Sequence, residues 1–162
     1  MNYPIIKILE DRLKSHFLIF EFGSGYSTLF CARLVQSVIS VEYDKEWFST
    51  IKDKAPDNVN LIYRKVGNNG EYCKSIKEFD ILYDIIIVDG RDRVNCVKQS
   101  MESLSENGVI ILDDSERKKY QKAIECAKKN GFNALDLEGL KPIGSGVNRS
   151  TILYRDDNCL GI

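Results

Sequence analysis

Short apolar runs alternate with longer amphipathic segments along most of the chain. "FLIFEF" precedes "STLFCARLVQ", "SVISVEY" precedes "KEWFSTIKDKA", and "NVNLIYRKV" precedes "YCKSIKEF". "YDIIIVDG" precedes "VNCVKQSMESL", and "GVIILDD" precedes "ERKKYQKAIECAKKNG". A short, continuous apolar run fits a strand buried on both faces, and the amphipathic segment after it fits a crossover helix. Five such repeats predict an α/β fold with a parallel sheet covered on both sides.

Ahead of the first strand, Ile5, Ile6, Leu9 and Leu13 fall near helical spacing and predict an amphipathic helix over about residues 4–15. The lead segment is thus 1–16, and the five strand–helix units fill 17–130. After Gly131, a good helix stop, "FNALDLEGL" and "RSTILYR" follow without an intervening helix, joined by "KPIGSGVN". Residues 131–162 should therefore form a closing antiparallel hairpin and tail. A chain of 162 residues can bury roughly two-thirds of its unfolded surface, and no linker divides it, so one domain is expected.

Composition removes several functions. The 23 basic and 24 acidic residues nearly cancel, with no basic block to follow a phosphate backbone, so no nucleic-acid partner is expected. Five cysteines without a CxxC spacing indicate neither a disulfide framework nor a zinc knuckle, which suits a reducing cytoplasm. The N-terminal stretch reaches charge by Lys7 and shows no export signal, and no apolar run is long enough for a membrane.

The chemistry concentrates in "IFEFGSGYSTLFCARL", where Gly23 and Gly25 occupy the first strand-to-helix turn. Glycine lets backbone approach a ligand closely, and free N–H groups at the helix start favour an anionic group such as a carboxylate. Ser24 lies inside the turn, and Ser27 and Thr28 are placed to cap the helix. A dinucleotide fingerprint would have a third glycine where Thr28 stands. Glu21, just before the turn, suits a ligand ammonium better than a pyrophosphate. Glu42 closes the second strand, where a carboxylate can accept both hydroxyls of a ribose.

At these residues the chain resembles the class I S-adenosylmethionine-dependent methyltransferases, whose first motif is an acid followed by G-x-G and whose next strand ends in a second acid. The resemblance implies a Rossmann-like, doubly wound seven-stranded sheet in the order 3-2-1-4-5-7-6 with strand 7 antiparallel. It also implies S-adenosylmethionine as cofactor. Glu21, Gly23, Ser24, Gly25 and Ser27 would surround its methionine part, Glu42 and Tyr43 its ribose, and Gly67 and Asn68 of "VGNNG" its adenine, with Asp89 nearby.

The fourth and fifth strands end in "IIIVDGRDR" and "VIILDDSER", which gathers Asp89, Asp92, Asp113 and Asp114 at one sheet edge. Converging carboxylates need a compensating cation or donor, and oxygen ligands in this number suit Mg2+ or another hard divalent cation. Here the chain looks like the catechol and caffeoyl-coenzyme-A type of O-methyltransferase, which implies Asp89, Asp113 and Asp114 as metal ligands. It departs from that type at Asp114, where an asparagine belongs, and at Arg91, where a lysine belongs. With a metal, the substrate hydroxyl would be acidified by coordination; without one, Asp89 or Asp113 would take its proton. The alternative reading makes Asp113 and Asp114 helix-start acids and pairs Asp92 with Arg91 or Arg93. Trp47, Phe48 and His16 are read as packing or surface residues.

The function expected is methyl transfer to an oxygen of a small molecule or sugar. A homodimer or partner chain is one way to complete a pocket that has few added elements. Two rivals stand beside it: an NAD-dependent oxidoreductase, disfavoured by Thr28, and a regulatory module that binds the adenosyl group without catalysis.

Overall fold

The computed structural model describes residues 1–67, 70–144 and 146–162. Its elements are α1 (Tyr3–Arg12), β1 (Leu18–Phe22), α2 (Tyr26–Ala32), β2 (Ser37–Glu42), α3 (Lys45–Lys52), β3 (Val59–Tyr63), α4 (Glu71–Lys74), β4 (Tyr83–Val88), α5 (Arg93–Ser100), β5 (Leu104–Leu112), α6 (Gln121–Lys129), β6 (Asn133–Leu140) and β7 (Val147–Tyr154). The strands form one seven-stranded sheet in the order β3-β2-β1-β4-β5-β7-β6. β1 to β5 run parallel, and β7 runs antiparallel to both β5 and β6. Order and reversal are those that the resemblance to methyltransferases implied.

Strand side chains alternate between two cores. Phe20, Phe22, Ile86, Val88, Ile110 and Leu112 face α4, α5 and α6, while Ile19, Ile85, Ile87, Val109 and Ile111 face α1 and α2. Each fully buried isoleucine of β4 contributes about 1.5–3 kcal/mol relative to exposure. Two elements are shorter than their patterns suggested. α1 stops at Arg12 because Leu13 turns to extended backbone. The third crossover is only α4 and a 3-10 turn over Ser75–Glu78.

The closing hairpin is tied to the start of α1. Asn2 caps that helix, accepting from Ile5 N at 3.2 Å, and its amide donates to Leu137 O at 2.7 Å and Asn148 O at 3.1 Å. A Cβ on Gly139 would lie 2.6 Å from Pro4 Cδ, so β6 passes directly against the helix start. The tip of the hairpin is thereby held beside the carboxyl ends of β4 and β5. No helix among the described residues is long and apolar enough to cross a membrane.

Candidate active site

A cavity of about 790 Å³ opens at the carboxyl ends of β1, β2 and β4, where strand order reverses and open α/β sheets bind ligands. Its size falls within the range of small-molecule sites. Gly23 takes φ +92°, and a Cβ there would sit 2.7 Å from Gly90 Cα. That position therefore needs glycine for the fold itself. Gly25 is different: its backbone is extended and it has room for a Cβ. It borders the cavity, so its bareness favours close approach of whatever occupies that space.

Glu42 borders the same cavity and is 3% exposed. Its Oε1 accepts from Tyr43 N and Asp44 N, both at 2.8 Å, and its Oε2 accepts from Ser24 N at 3.0 Å. A carboxylate has about four acceptor positions, so three are spent on backbone and one, on Oε2, is left for a ligand. This narrows the expected diol contact to one strong bond. Burial raises the Glu42 pKa above its ordinary value, and the three N–H donors oppose that rise.

Glu21 behaves otherwise than expected. It lies on the face of β1 covered by α2, is fully buried, and does not border the cavity. Its oxygens accept from the hydroxyls of Ser27, Thr28 and Ser40. A direct bond from Glu21 to a ligand ammonium is therefore replaced by an internal role, fixing the first turn of α2 to β1. Ser27 and Thr28 do not cap α2 in the expected way: Gly25 is the N-cap, and its N–H donates to Thr28 Oγ1 at 2.9 Å.

Burial lifts the Glu21 carboxyl from 4.5 to about 7 in spite of these hydroxyls. A carboxyl whose folded pKa is raised binds more protons folded than unfolded between the two values, so stability falls as pH rises through that window. The shift corresponds to on the order of 3 kcal/mol. Glu21→Gln, whose amide can donate to or accept from the same hydroxyls, is expected to lack this slope. Its stability relative to the parent, measured by urea unfolding, should be greater at pH 8 than at pH 5. Equal differences at both pH values would reject this assignment.

Trp47, read from sequence as a packing residue, instead borders the cavity and is 37% exposed. Its indole N–H donates to Ser24 O at 2.7 Å, and Tyr26 meets it edge-on at 6.2 Å between ring centres. Tyr43 forms another part of the wall, its hydroxyl accepting from Arg91 Nε at 2.9 Å with the guanidinium 5.1 Å from the ring centre. Gly67 is exposed and does not border the cavity, and Asn68 lies outside the described residues.

At the acidic edge, three of the four expected carboxylates converge. Asp92 is exposed and accepts from the Asn95 amide instead, so it pairs with neither arginine suggested for it. Asp113 is fully buried, accepting from Ser150 Oγ and Lys141 Nζ, each at 2.6 Å. Asp114 accepts from Lys141 Nζ at 2.6 Å and Asn148 Nδ2 at 2.9 Å, and pairs with Arg117 at 2.6 Å. Asp89 pairs with Arg93 at 2.9 Å, and the N-terminal ammonium lies 3.6 Å from Asp89 and 3.5 Å from Asp113.

Burial would raise Asp113, but the N-terminal ammonium, Lys141 and Ser150 together bring it down to about 2. Asp89, without a lysine of its own, is raised to about 6, first by burial and then by the charge of Asp113. A divalent ion does not fit this donor set. The inward oxygens of Asp113 and Asp114 are bonded to Lys141, and no group of His, Cys, Asp and Glu side chains among the described residues has metal-binding geometry. The compensating charge inferred for the cluster is present, but the protein's own cations supply it. Asp92 and Asp114, at φ +48° and +51°, are the two non-glycine residues in left-handed backbone among those described, and both lie along this edge.

Lys141, Tyr26 and Tyr120 were not singled out from sequence, and Arg93 was named only as a possible partner of Asp92, yet all four border the cavity. Arg93 ties the ends of β4 and β5 together, donating to Gly90 O, Asp89 O and Asp113 O. Its place at the start of α5, four residues after Asp89 at the end of β4, is the one signal that could have marked it as a partner of Asp89.

No protein-family model and no curated protein matches the chain. Solved structures do. An O-methyltransferase from Bacillus cereus in complex with SAH aligns with TM-score 0.75 and 17% identity over 93% of this chain and 79% of that one. A methyltransferase-like protein from Silicibacter pomeroyi aligns with TM-score 0.71 and 22% identity, over 96% and 87% of the two chains. Precorrin-6y C5,15-methyltransferase from Geobacter metallireducens aligns with TM-score 0.70 and 14% identity, over 93% and 86%. At these identities the likeness is one of fold: the chain has the Rossmann-like architecture of methyltransferase structures.

Proposed function

We propose that the protein is an S-adenosylmethionine-dependent methyltransferase acting on an oxygen of a small molecule. The observation that carries this reading is the unspent acceptor of Glu42 beside the Gly23–Gly25 turn, in a cavity that Asp89 also borders. The likeness to an O-methyltransferase from Bacillus cereus solved with SAH supports it.

When bound, S-adenosylmethionine supplies a methyl carbon already activated by a sulfonium. Glu42 and the bare turn would hold its nucleoside and aminoacyl parts, with Trp47 and Tyr26 shielding them from water. The protein's main contribution is then alignment and exclusion of solvent. The acceptor hydroxyl must lose a proton as its oxygen bonds to the methyl. Asp89 suits that role better than Asp113: it borders the cavity, is 26% exposed, and its pKa near 6 suits a base at neutral pH. Asp113, locked on Ser150 and Lys141, is too weak a base.

Calorimetric titration with S-adenosylhomocysteine tests the reading. One site with micromolar affinity is expected, with no comparable heat from NADH. Absence of binding at millimolar ligand would remove the proposal.

A further inference from the structure

The cation at the acidic edge does more than balance charge. Lys141 arrives from the end of β6, held there by the attachment of the hairpin to α1, and borders the cavity with its side chain 24% exposed. Its Nζ lies 2.6 Å from both Asp113 Oδ2 and Asp114 Oδ1. An ammonium has three N–H donors, so two are spent among the described residues and one is left. Arg93 differs in access: it is 8% exposed, and four of its five N–H groups donate to oxygens of Asp89, Gly90 and Asp113.

We propose that Lys141 is the resident cation of this site, standing where a divalent ion would bridge the strand-end carboxylates and offering its third N–H to the acceptor oxygen. The inference rests on the methyl-transfer reading and deepens it. An N–H donor can serve only an atom with a lone pair, and a fixed ammonium repels a protonated amine. The site therefore selects a hydroxyl or phenol over an alkylamine. Lys141 stays protonated throughout: burial alone would lower its pKa, but Asp113 and Asp114 raise it above the ordinary lysine value. In the step, the acceptor O–H proton passes to Asp89, the oxygen forms the new C–O bond, and the C–S bond breaks to leave a neutral thioether. Lys141 holds the oxygen as its negative charge develops, the role of an oxyanion donor.

The test uses 4-nitrocatechol, whose absorbance reports ionisation, added to the full chain saturated with S-adenosylhomocysteine in the presence of EDTA. The wild-type protein is expected to bind the probe as its anion and to shift its apparent ionisation to lower pH by at least one unit. Lys141→Met is expected to weaken the probe at least tenfold and leave S-adenosylhomocysteine affinity within twofold, with Lys141→Gln as the second variant. No shift with wild type overturns the proposal, as does a shift that EDTA abolishes or that Lys141→Met retains. The EDTA comparison on wild type decides the metal question even if neither variant folds. Failure of S-adenosylhomocysteine to bind wild type would instead refute the methyl-transfer reading.

Discussion

Replacing Glu42 by alanine is expected to weaken S-adenosylhomocysteine binding by about 10- to 100-fold, because one charge-assisted hydrogen bond contributes roughly 1.5–3 kcal/mol. The loss should reach the upper part of that range, since Glu42 also organises the turn. Its carboxylate holds Ser24 N, Tyr43 N and Asp44 N, and without it three backbone donors must find water or move. Glutamine is no safe substitute here. Whichever way its amide turns, an NH2 group faces at least one of those N–H donors, leaving a donor-donor clash. Glu42→Gln should therefore lose most of the affinity that Glu42→Ala loses, and calorimetry on both variants checks this. Retention of wild-type affinity by Glu42→Gln would mean that the carboxylate is not the ligand's anchor. Circular dichroism on the same samples separates a lost ligand contact from a lost fold.

The sheet was legible because burial on both faces leaves its mark directly in the sequence. "IIIV" in β4 cannot be solvent-facing on either side, and both its neighbours in the sheet show the same pattern. Strand order was less legible, since periodicity finds strands without ordering them, and the order came from the resemblance at Glu21, the glycine turn and Glu42. The role of Glu21 was misread for a reason that parity could have revealed. It shares a strand face with Ile19, and that face is covered by α2, so a side chain there meets the helix before it meets a ligand.

The acidic edge shows a second limit. That the carboxylates would need compensation followed from Coulomb repulsion alone. Which cation would provide it did not, because Lys141 is separated from Asp113 by 28 residues and reaches it only through the hairpin. "KPIGSGVN" carries turn chemistry, and nothing in it marks its lysine as part of a site. Trp47 was obscure for a related reason. An aromatic residue in the first turn of a helix packs on the sheet or looks over its edge according to the crossing of that helix, which a single sequence does not encode.

Gly90→Ala is expected to destabilise the protein by on the order of 3 kcal/mol, the upper part of the usual range for overpacking a tight site. Tyr72→Phe should recover part of that loss. A Cβ on Gly90 would lie 2.0 Å from the Tyr72 hydroxyl and 3.0 Å from Gly23 N. The phenol cannot retreat easily, since Tyr72 is 1% exposed and packs against Phe22 and Tyr43. Its hydroxyl lacks a well-formed hydrogen bond among the described residues; the backbone N–H of Arg91 acts on it without forming one. An unpaired buried hydroxyl costs about 1–3 kcal/mol, so Tyr72→Phe alone should be neutral or stabilising. In the double variant the 2.0 Å collision disappears and the backbone contact with Gly23 remains, so rescue is partial. Urea unfolding of the four proteins in a double-mutant cycle measures this, with a favourable coupling of about 1–3 kcal/mol expected for touching groups. Additive effects would show that the hydroxyl is not what excludes a side chain at Gly90. Binding should divide the same variants differently. Gly90 and Gly23 pack against each other beneath the cavity, so Gly90→Ala should weaken S-adenosylhomocysteine, whereas Tyr72→Phe, whose ring stays in place, should leave it unchanged.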